Sequence, residues 1–320
     1  MNKKGILMLA AFLALGFLSL AQEVQTPSQT ALSLFSESSD VMIPYSFEGR
    51  TQLEAAIDEI KSILQVPEDL DDTNEASVMA LQITPEQSHL VYKLSQAYYT
   101  LGDVFYHEKD GAKEIFTKGQ YWGLKGLRND SDFLAIEGAE GDKDEQFIKA
   151  VEEETRIAPL YWTYANWARK DELDIAWAIA RNDPPKLLAL AERTLEVDET
   201  YIAYGPYRSL AAFWGGLTSL PIPVWHQDLP KALYYICPVV DAPACCSDCA
   251  DCPRDPDHAA YFENRLIFAE FYLMEKREWQ AAADVLQSII DDEAGDTYPL
   301  YNAYCQELAA DLLQEVNKHL

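Results

Sequence analysis

The sequence predicts an all-α protein built from helical hairpins that stack into a compact bundle or solenoid. Apolar residues recur at helical spacing in most long segments, and no run of alternating polar and apolar residues bounded by turn dipeptides predicts a strand. Residues 201–236 also have the pattern of two helices joined by a Pro-bounded loop. These three observations favour helix-on-helix packing over an architecture that contains a sheet.

Caps and prolines predict where the helices begin. Thr84-Pro85-Glu86-Gln87 is a helix start, because threonine caps, proline suits the first turn and glutamine can bond back to the cap. Asp183-Pro184 predicts another start in the same way. The predicted helices cover residues 47–64, 84–102, 111–127, 146–168 with a break at Pro159, 183–195, 205–217, 228–236, 255–274, 278–290 and 298–320.

Two of the predicted hairpins carry further signals. Gly119 and Gly123 allow the 111–127 helix to approach a neighbour closely, although glycine lowers helix stability. Residues 201–236 resemble a degenerate tetratricopeptide unit, whose second helix starts near Asp228 with Ala232 at the helix contact. Such units bind partners through a grooved surface and rarely carry chemistry. The spacing between comparable helices is irregular, so the predicted units are divergent.

The N-terminus has the pattern of a cleaved secretory signal peptide over residues 1–21. Lys3 and Lys4 precede an apolar run that ends in small residues before Gln22. An uncleaved anchor is the alternative, but the run is short for a span and no stop-transfer charges follow it. The first cysteine is Cys237, so the lipid attachment of bacterial lipoproteins is not expected. The mature chain is therefore expected to be periplasmic or secreted, with no membrane span.

Composition divides the remainder of the chain into two regions. Residues 22–45 are rich in Ser, Thr and Gln and predict a disordered leader. Residues 46–320 predict a single helical-repeat domain with a Cys-rich loop at 237–253. Stacked repeats grow without the usual ceiling on core size, so length alone indicates no boundary here.

The charge of the chain excludes some classes of partner. Its formal net charge is -28, from 25 basic and 53 acidic residues. Nucleic-acid binding needs a basic footprint and is not expected, and adsorption to anionic lipid is opposed. The acidic residues either keep the protein soluble or face a basic partner. They are spread along the chain, which favours the first interpretation.

The six cysteines predict disulfides in an oxidising compartment. The candidates are Cys237, Cys245, Cys246, Cys249, Cys252 and Cys305. The CxxC spacing leaves a zinc or cluster site open, which His258 could complete, and redox activity is a third interpretation. Disulfides are favoured, and no metal or cofactor is predicted.

A dense set of aromatic residues, with one arginine among them, predicts a pocket or groove for a ligand or partner. Its members are Tyr161, Trp162, Trp167, Tyr204, Tyr207 and Arg208. The alternative is core packing between helices. Arg208 lies in an apolar helix and needs a partner, either Asp198 or a ligand carboxylate. No GxSxG, HExxH, GxxxxGK[ST] or glycine-rich dinucleotide fingerprint is present, so the chain is not predicted to be an enzyme.

Several segments together resemble the T-component (TatT-like) family of TRAP transporters. They are AYYTLGD at 97–103, FTKGQYWGLKGL at 116–127, IAPLYWTYANWARK at 157–170, TLEVDETYIAYGPYRSL at 194–210, DLPKAL at 228–233 and AEFYLMEKREW at 269–279. The ordered set covers about residues 90–291. The sequence departs from the family in having no lipid-bearing cysteine, in its cysteine insert, and in Trp225-His226-Gln227-Asp228 where a Gly-Gly-Asp loop is expected.

The resemblance implies a periplasmic bundle of tetratricopeptide-like hairpins without catalytic activity. It implies a partner, an extracytoplasmic solute-binding protein of a transporter, and a small apolar or organic-acid ligand. Self-association into a homo-oligomer is also implied. Two other functions stay open: a generic tetratricopeptide scaffold for protein interactions, and a metal or thiol protein that uses the Cys-rich loop.

Overall fold

The described part of the chain is helical throughout. The structure is a computed structural model that describes residues 33–35, 40–217, 225–240 and 260–320. These residues form fourteen α-helices and no β-strand, with one isolated antiparallel bridge between Phe35 and Val41. The predicted all-α class is confirmed. The predicted signal peptide lies outside the described residues.

The described residues contain the following α-helices in chain order. They are α1 Phe47–Ile63, α2 Glu75–Met79, α3 Ser88–Thr100, α4 Lys109–Arg128, α5 Ser131–Glu137, α6 Lys143–Glu153, α7 Ile157–Glu172, α8 Ile175–Ala180, α9 Asp183–Val197, α10 Tyr201–Gly216, α11 Leu229–Ile236, α12 Phe262–Phe268, α13 Trp279–Asp291 and α14 Pro299–Val316. Two helices continue into π-helical turns, α3 through Leu101–Phe105 and α12 through Ala269–Met274. In the described residues no helix has both the length and the apolar content that a membrane span needs.

Two predicted helix starts are confirmed at the level of single hydrogen bonds. The Thr84 backbone N–H donates to Gln87 Oε1 at 3.1 Å, as a capping box requires. The Asp228 carboxylate accepts from the Lys231 backbone N–H at 3.1 Å and caps α11. Asp183 is the first residue of α9 rather than its cap, because its carboxylate is held by Arg181 at 2.8 Å.

The predicted end of the 84–102 helix is wrong. Instead of stopping at Gly102-Asp103, the chain continues as a π-helical turn to Phe105. The Asp103 carbonyl accepts from the Tyr304 hydroxyl at 2.7 Å, and the Asp103 carboxylate lies 2.8 Å from Arg169. These two long-range contacts hold the widened turn against α14 and α7.

Pairs of neighbouring helices form the predicted hairpins, and α4 also packs along α7. The closest approach of α4 and α7 is at two glycines, as predicted. A Cβ atom built on Gly123 would lie 2.8 Å from Thr163 Cα, and one on Gly119 would lie 2.3 Å from Asn166 Cγ. The buried Asn166 amide donates to the Ser95 carbonyl at 3.0 Å and so ties α7 to α3.

The core begins earlier in the chain than the sequence predicted. Val41 and Ile43 lie in the predicted leader, 22–45, yet they are 0% and 1% exposed. They pack in the same cluster as Leu53 and Leu94 of α1 and α3. The end of the predicted leader is therefore part of the folded bundle, because its apolar side chains cover the exposed edge of that cluster.

Candidate functional site

A cavity of about 270 Å³ lies between α3, α7, α8, α9, α10, α12 and α14. Most of the side chains that line it are apolar or aromatic, among them Tyr99, Tyr161, Ile175, Ile179, Phe213, Leu266, Ile267, Phe271, Tyr301 and Leu308. Ligand pockets in proteins commonly measure about 300–1,000 Å³, so this cavity suits a small ligand.

Charged groups in the cavity wall are mostly paired. Five carboxylates and two guanidinium groups line the cavity among the described residues: Asp103, Asp171, Glu172, Glu263, Glu270, Arg169 and Arg208. Four of the five carboxylates have an arginine partner within 3.0 Å: Asp103 and Glu172 with Arg169, Glu263 with Arg208, and Asp171 with Arg181. The wall therefore has more negative than positive groups.

Arg208 is a structural anchor on the cavity wall. Its Nε lies 3.0 Å from Glu263 Oε2, and its Nη1 donates to Asn264 Oδ1 at 2.8 Å. Its guanidinium also donates to the carbonyls of Ile202 and Ala203 at 2.9 and 2.5 Å. The predicted partner Asp198 is not used, because the left-handed backbone turn that precedes Arg208 brings these carbonyls into reach instead.

That left-handed turn spans three consecutive residues that are not glycine. Ile202, Ala203 and Tyr204 have φ values of 49°, 49° and 64°. Such a conformation costs roughly 1–2 kcal/mol per residue for an L-amino acid. The regular part of α10 starts only after it, at the predicted Gly205. The hydrogen bonds from Arg208 offset part of this cost and link the turn to α12.

The two π-helical turns each place a carboxylate in the cavity. Asp103 comes from the turn after α3 and Glu270 from the turn after α12. Burial raises the pKa of the Asp103 carboxyl to about 6, although Arg169 acts in the opposite direction. Burial also raises the pKa of the Glu270 carboxyl to about 7, and the nearby Glu172 adds to the effect. Single π-helical turns inside α-helices are frequent at functional sites.

Two of the six predicted site residues line the cavity, Tyr161 and Arg208. Trp162 is 3% exposed, and its Nε1 donates to the Tyr201 hydroxyl at 3.1 Å, so it is a core residue. Tyr204 and Tyr207 pack against the cluster formed by α11–α14. The predicted alternative, core packing, describes these three residues.

Trp167 lines a second, larger depression of about 920 Å³ on the other side of α7. Its ring packs against Phe147 at 5.9 Å, with Lys170 and Lys186 over it at 5.6 and 5.5 Å. Both ammonium groups also have oxygen partners, Gln120 for Lys170 at 2.6 Å and Asp144 for Lys186 at 3.2 Å. This depression is a salt-bridged surface rather than a site with unmatched charge.

Sequence reasoning missed the carboxylates of the cavity wall and Arg169. Glu263 and Glu270 are seven residues apart, which places them on one face of α12 and its π-helical turn. Two carboxylates on one face of a largely apolar segment are a signal in the sequence, since such residues are rarely buried without a partner. Arg169 and Asp103 could be paired only in three dimensions.

One predicted disulfide candidate is corrected. Cys305 is a free thiol, 1% exposed, inside α14. Burial raises the pKa of this thiol well above its ordinary value. It lines the cavity and packs in the cluster formed by α11–α14. Cys237 is also buried, and Cys245, Cys246, Cys249, Cys252 and His258 lie outside the described residues. The described residues include no group of three or more potential metal ligands.

The raised pKa of Glu270 predicts how stability depends on pH. A carboxyl whose pKa is higher in the folded than in the unfolded state stabilises the folded protein fully at pH values below its unfolded pKa of about 4.5. This contribution is lost as the pH rises towards the folded pKa of about 7. Charged groups around Glu270 are Glu172 and Arg169 of α7, Asp103 and the adjacent Glu275. We therefore expect the free energy of unfolding to fall between pH 5 and pH 7.5.

The variant Glu270→Gln should show a decrease in the free energy of unfolding between pH 5 and pH 7.5 that is smaller by about 1 kcal/mol, a value that allows for solvent in the cavity. Urea unfolding at the two pH values measures it. Glu275→Gln is the matched control, since Glu275 is an exposed neighbour that does not line the cavity. If the free energy of unfolding of Glu270→Gln depends on pH as steeply as that of the wild type, the prediction is wrong.

Comparison of the chain with models of protein families and with curated proteins finds no match. The fold and the site by themselves define its class. It is a protein of packed α-helical hairpins with a mainly apolar cavity whose wall carries ion pairs and, among the described residues, one carboxylate without an ion pair.

Proposed function

We propose that this is a non-catalytic extracytoplasmic accessory protein that binds a solute-binding protein of a transporter and holds a small apolar ligand. The observation that carries the proposal is the cavity, which lies between seven helices and which mainly apolar side chains line. The resemblance to the T-component of TRAP transporters supplies the partner. Packed helical hairpins suit such a role, since they commonly bind partners rather than catalyse reactions.

Of the two ligand classes implied by the resemblance, the apolar one is favoured over the organic acid. Both arginines of the cavity wall already have carboxylate partners, so they attract a further anion only weakly. Four of the wall's carboxylates are paired and Glu270 adds one more negative group once ionised, which would repel an acid.

The partner would reach the cavity most directly at α8. Trp177 of this helix is 61% exposed, while Ile175 and Ile179 on either side of it line the cavity. Large exposed aromatic residues are typical anchors of protein interfaces. The substitution Trp177→Ala is therefore expected to weaken the complex, whereas Tyr234→Ala, at an exposed tyrosine of α11, should not.

Native mass spectrometry of the mature protein from an oxidising host tests the ligand. A co-purified small molecule is expected with the wild type and not with Ala212→Phe, which fills the cavity from α10. Ala281→Phe, on the exposed face of α13, is the control for the added ring. Equal amounts of the co-purified molecule in Ala212→Phe and Ala281→Phe would show that it binds outside the cavity, which would contradict the proposal.

The partner is tested with the solute-binding subunit encoded beside this gene. Co-elution of the two proteins in size-exclusion chromatography is expected. If the neighbouring genes encode no solute-binding or transporter subunit, a generic tetratricopeptide scaffold becomes the better account of the fold.

For the loop after α11 we propose disulfides among Cys237, Cys245, Cys246, Cys249 and Cys252. An odd number of cysteines remains once Cys305 is excluded, so two disulfides and one further thiol are expected. Alkylation of the unfolded, unreduced protein should label two thiols, one of them Cys305. Five or six labelled thiols would favour a reduced or metal-binding loop instead.

A further inference from the structure

Glu270 differs from every other carboxylate of the cavity wall. Within the described part of the chain it is the only cavity carboxylate without an ion pair, whereas the other four each have an arginine within 3.0 Å. Its side chain is half-buried in the cavity wall, and it makes no hydrogen bond among these residues. An isolated carboxylate of this kind is costly to ionise in an apolar site.

The surroundings of Glu270 are negative rather than neutral. One guanidinium, Arg169, lies among three carboxylates: Asp103, Glu172 and Glu270. Arg169 is engaged with the first two at 2.8 and 2.5 Å. Its Nε has no acceptor but is enclosed by protein, so a ligand in the cavity cannot reach it. With all four groups ionised, this end of the cavity would have two negative charges more than positive ones.

Aromatic rings complete the environment that a cation prefers. Phe271 is adjacent to Glu270 in the same π-helical turn, and Tyr99, Tyr301 and Tyr304 line the same cavity. The face of an aromatic ring attracts ammonium groups, more strongly where water is excluded. A cavity with an unpaired carboxylate and several rings therefore favours a positive group attached to an apolar body.

We propose that the cavity binds a small amphipathic amine, with Glu270 as the counter-ion of its ammonium group and the apolar walls around its hydrocarbon part. This inference rests on the proposed function, which assigns a ligand to the cavity, and it names the class of that ligand. The ammonium supplies the missing positive charge at the wall. It distinguishes the ligand from the organic acids that the resemblance implied.

Three probes of the same shape test the proposal: cyclohexylammonium, cyclohexanol and cyclohexanecarboxylate, each titrated calorimetrically into the oxidised protein at pH 7. Cyclohexylammonium should bind at least about tenfold more tightly than cyclohexanol, a difference of about 1.4 kcal/mol, and the carboxylate should bind least. Glu270→Gln should abolish the preference for the amine and leave cyclohexanol binding unchanged. Glu275→Gln should behave as the wild type.

Proton release gives a readout that a merely structural role of Glu270 would not produce. The partly protonated Glu270 must ionise when an ammonium pairs with it, so binding at pH 7 should release protons. Titrations in two buffers with different ionisation enthalpies measure this release, which is expected in the wild type and absent in Glu270→Gln.

The outcomes separate the two proposals. If all three probes bind equally in the wild type, or if the carboxylate binds best, the amine assignment is overturned while a ligand cavity stands. If no probe binds and the Ala212→Phe variant carries the same co-purified molecule as the wild type, the proposed function itself fails.

Discussion

Replacing Arg208 by methionine is expected to lower the free energy of unfolding by about 3–5 kcal/mol. The substitution leaves the half-buried Glu263 carboxylate beside the cavity without its partner at 3.0 Å. It also removes the donors to the carbonyls of Ile202 and Ala203, which belong to the left-handed turn. Removing one member of a buried ion pair is costly because the other charge stays desolvated.

Arg50→Met is a matched control for Arg208→Met. Like Arg208, Arg50 pairs with a carboxylate, that of Glu54 at 2.9 Å. Its guanidinium lies over the ring of Tyr106 at 4.6 Å. Its pair is exposed, with 33% and 41% of the two side chains accessible to solvent. Its loss should cost about 1 kcal/mol or less.

Urea unfolding followed by circular dichroism measures both variants. The double variant Arg208→Met with Glu263→Gln should recover part of the loss, because the stranded charge is removed. Equal, small effects of the two arginine variants would show that Arg208 does not anchor the turn.

Replacing Gly123 by alanine is expected to destabilise the protein by about 1–3 kcal/mol, although alanine is the better helix former by about 1 kcal/mol. The new Cβ would lie 2.5 Å from Thr163 Oγ1 and 2.8 Å from Thr163 Cα. The second of these atoms belongs to the backbone of α7, so the clash is relieved only when α4 and α7 move apart.

Gly126→Ala isolates the effect of packing from that of helix propensity. Gly126 lies in the same helix, and a Cβ there would be 3.4 Å from Pro159 Cβ and 3.7 Å from Val91 Cγ1, which are ordinary contacts. This variant is expected to be neutral or stabilised by up to about 1 kcal/mol. The same urea unfolding experiment compares the two. A stabilised Gly123→Ala would mean that the helices are not in the predicted contact.

Features that depend on neighbouring residues were predictable. The capping box at Thr84 and Gln87, the cap at Asp228 and the close approach at Gly119 and Gly123 all follow from residue types at short spacings. The left-handed turn at 202–204 was not predictable in this way. Ile202 and Tyr204 disfavour that conformation, and it persists because Arg208 and Asn264 hold it from outside.

The candidate site shows the same division. The aromatic set led to the correct helices, α7 and α10, and to Tyr161 and Arg208 on the cavity wall. The sequence offered no means of distinguishing these two residues from Trp162, which packs in the core, or from Tyr207, which packs against α11–α14. In the sequence these residues look alike, since all belong to the same aromatic-rich helices. Whether each one lines the cavity or packs in the core depends on where the neighbouring helix lies.

The sequence by itself determined that this chain folds into α-helices, where most of them begin, and where two of them touch. These properties are encoded by spacings of three to seven residues, over which side chains share one helix face. Only the tertiary structure decided that seven helices leave a cavity between them, that its arginines are already paired and that Glu270 has no ion pair among the described residues. A cavity and an ion pair are formed by residues far apart in the chain, so no local pattern specifies them.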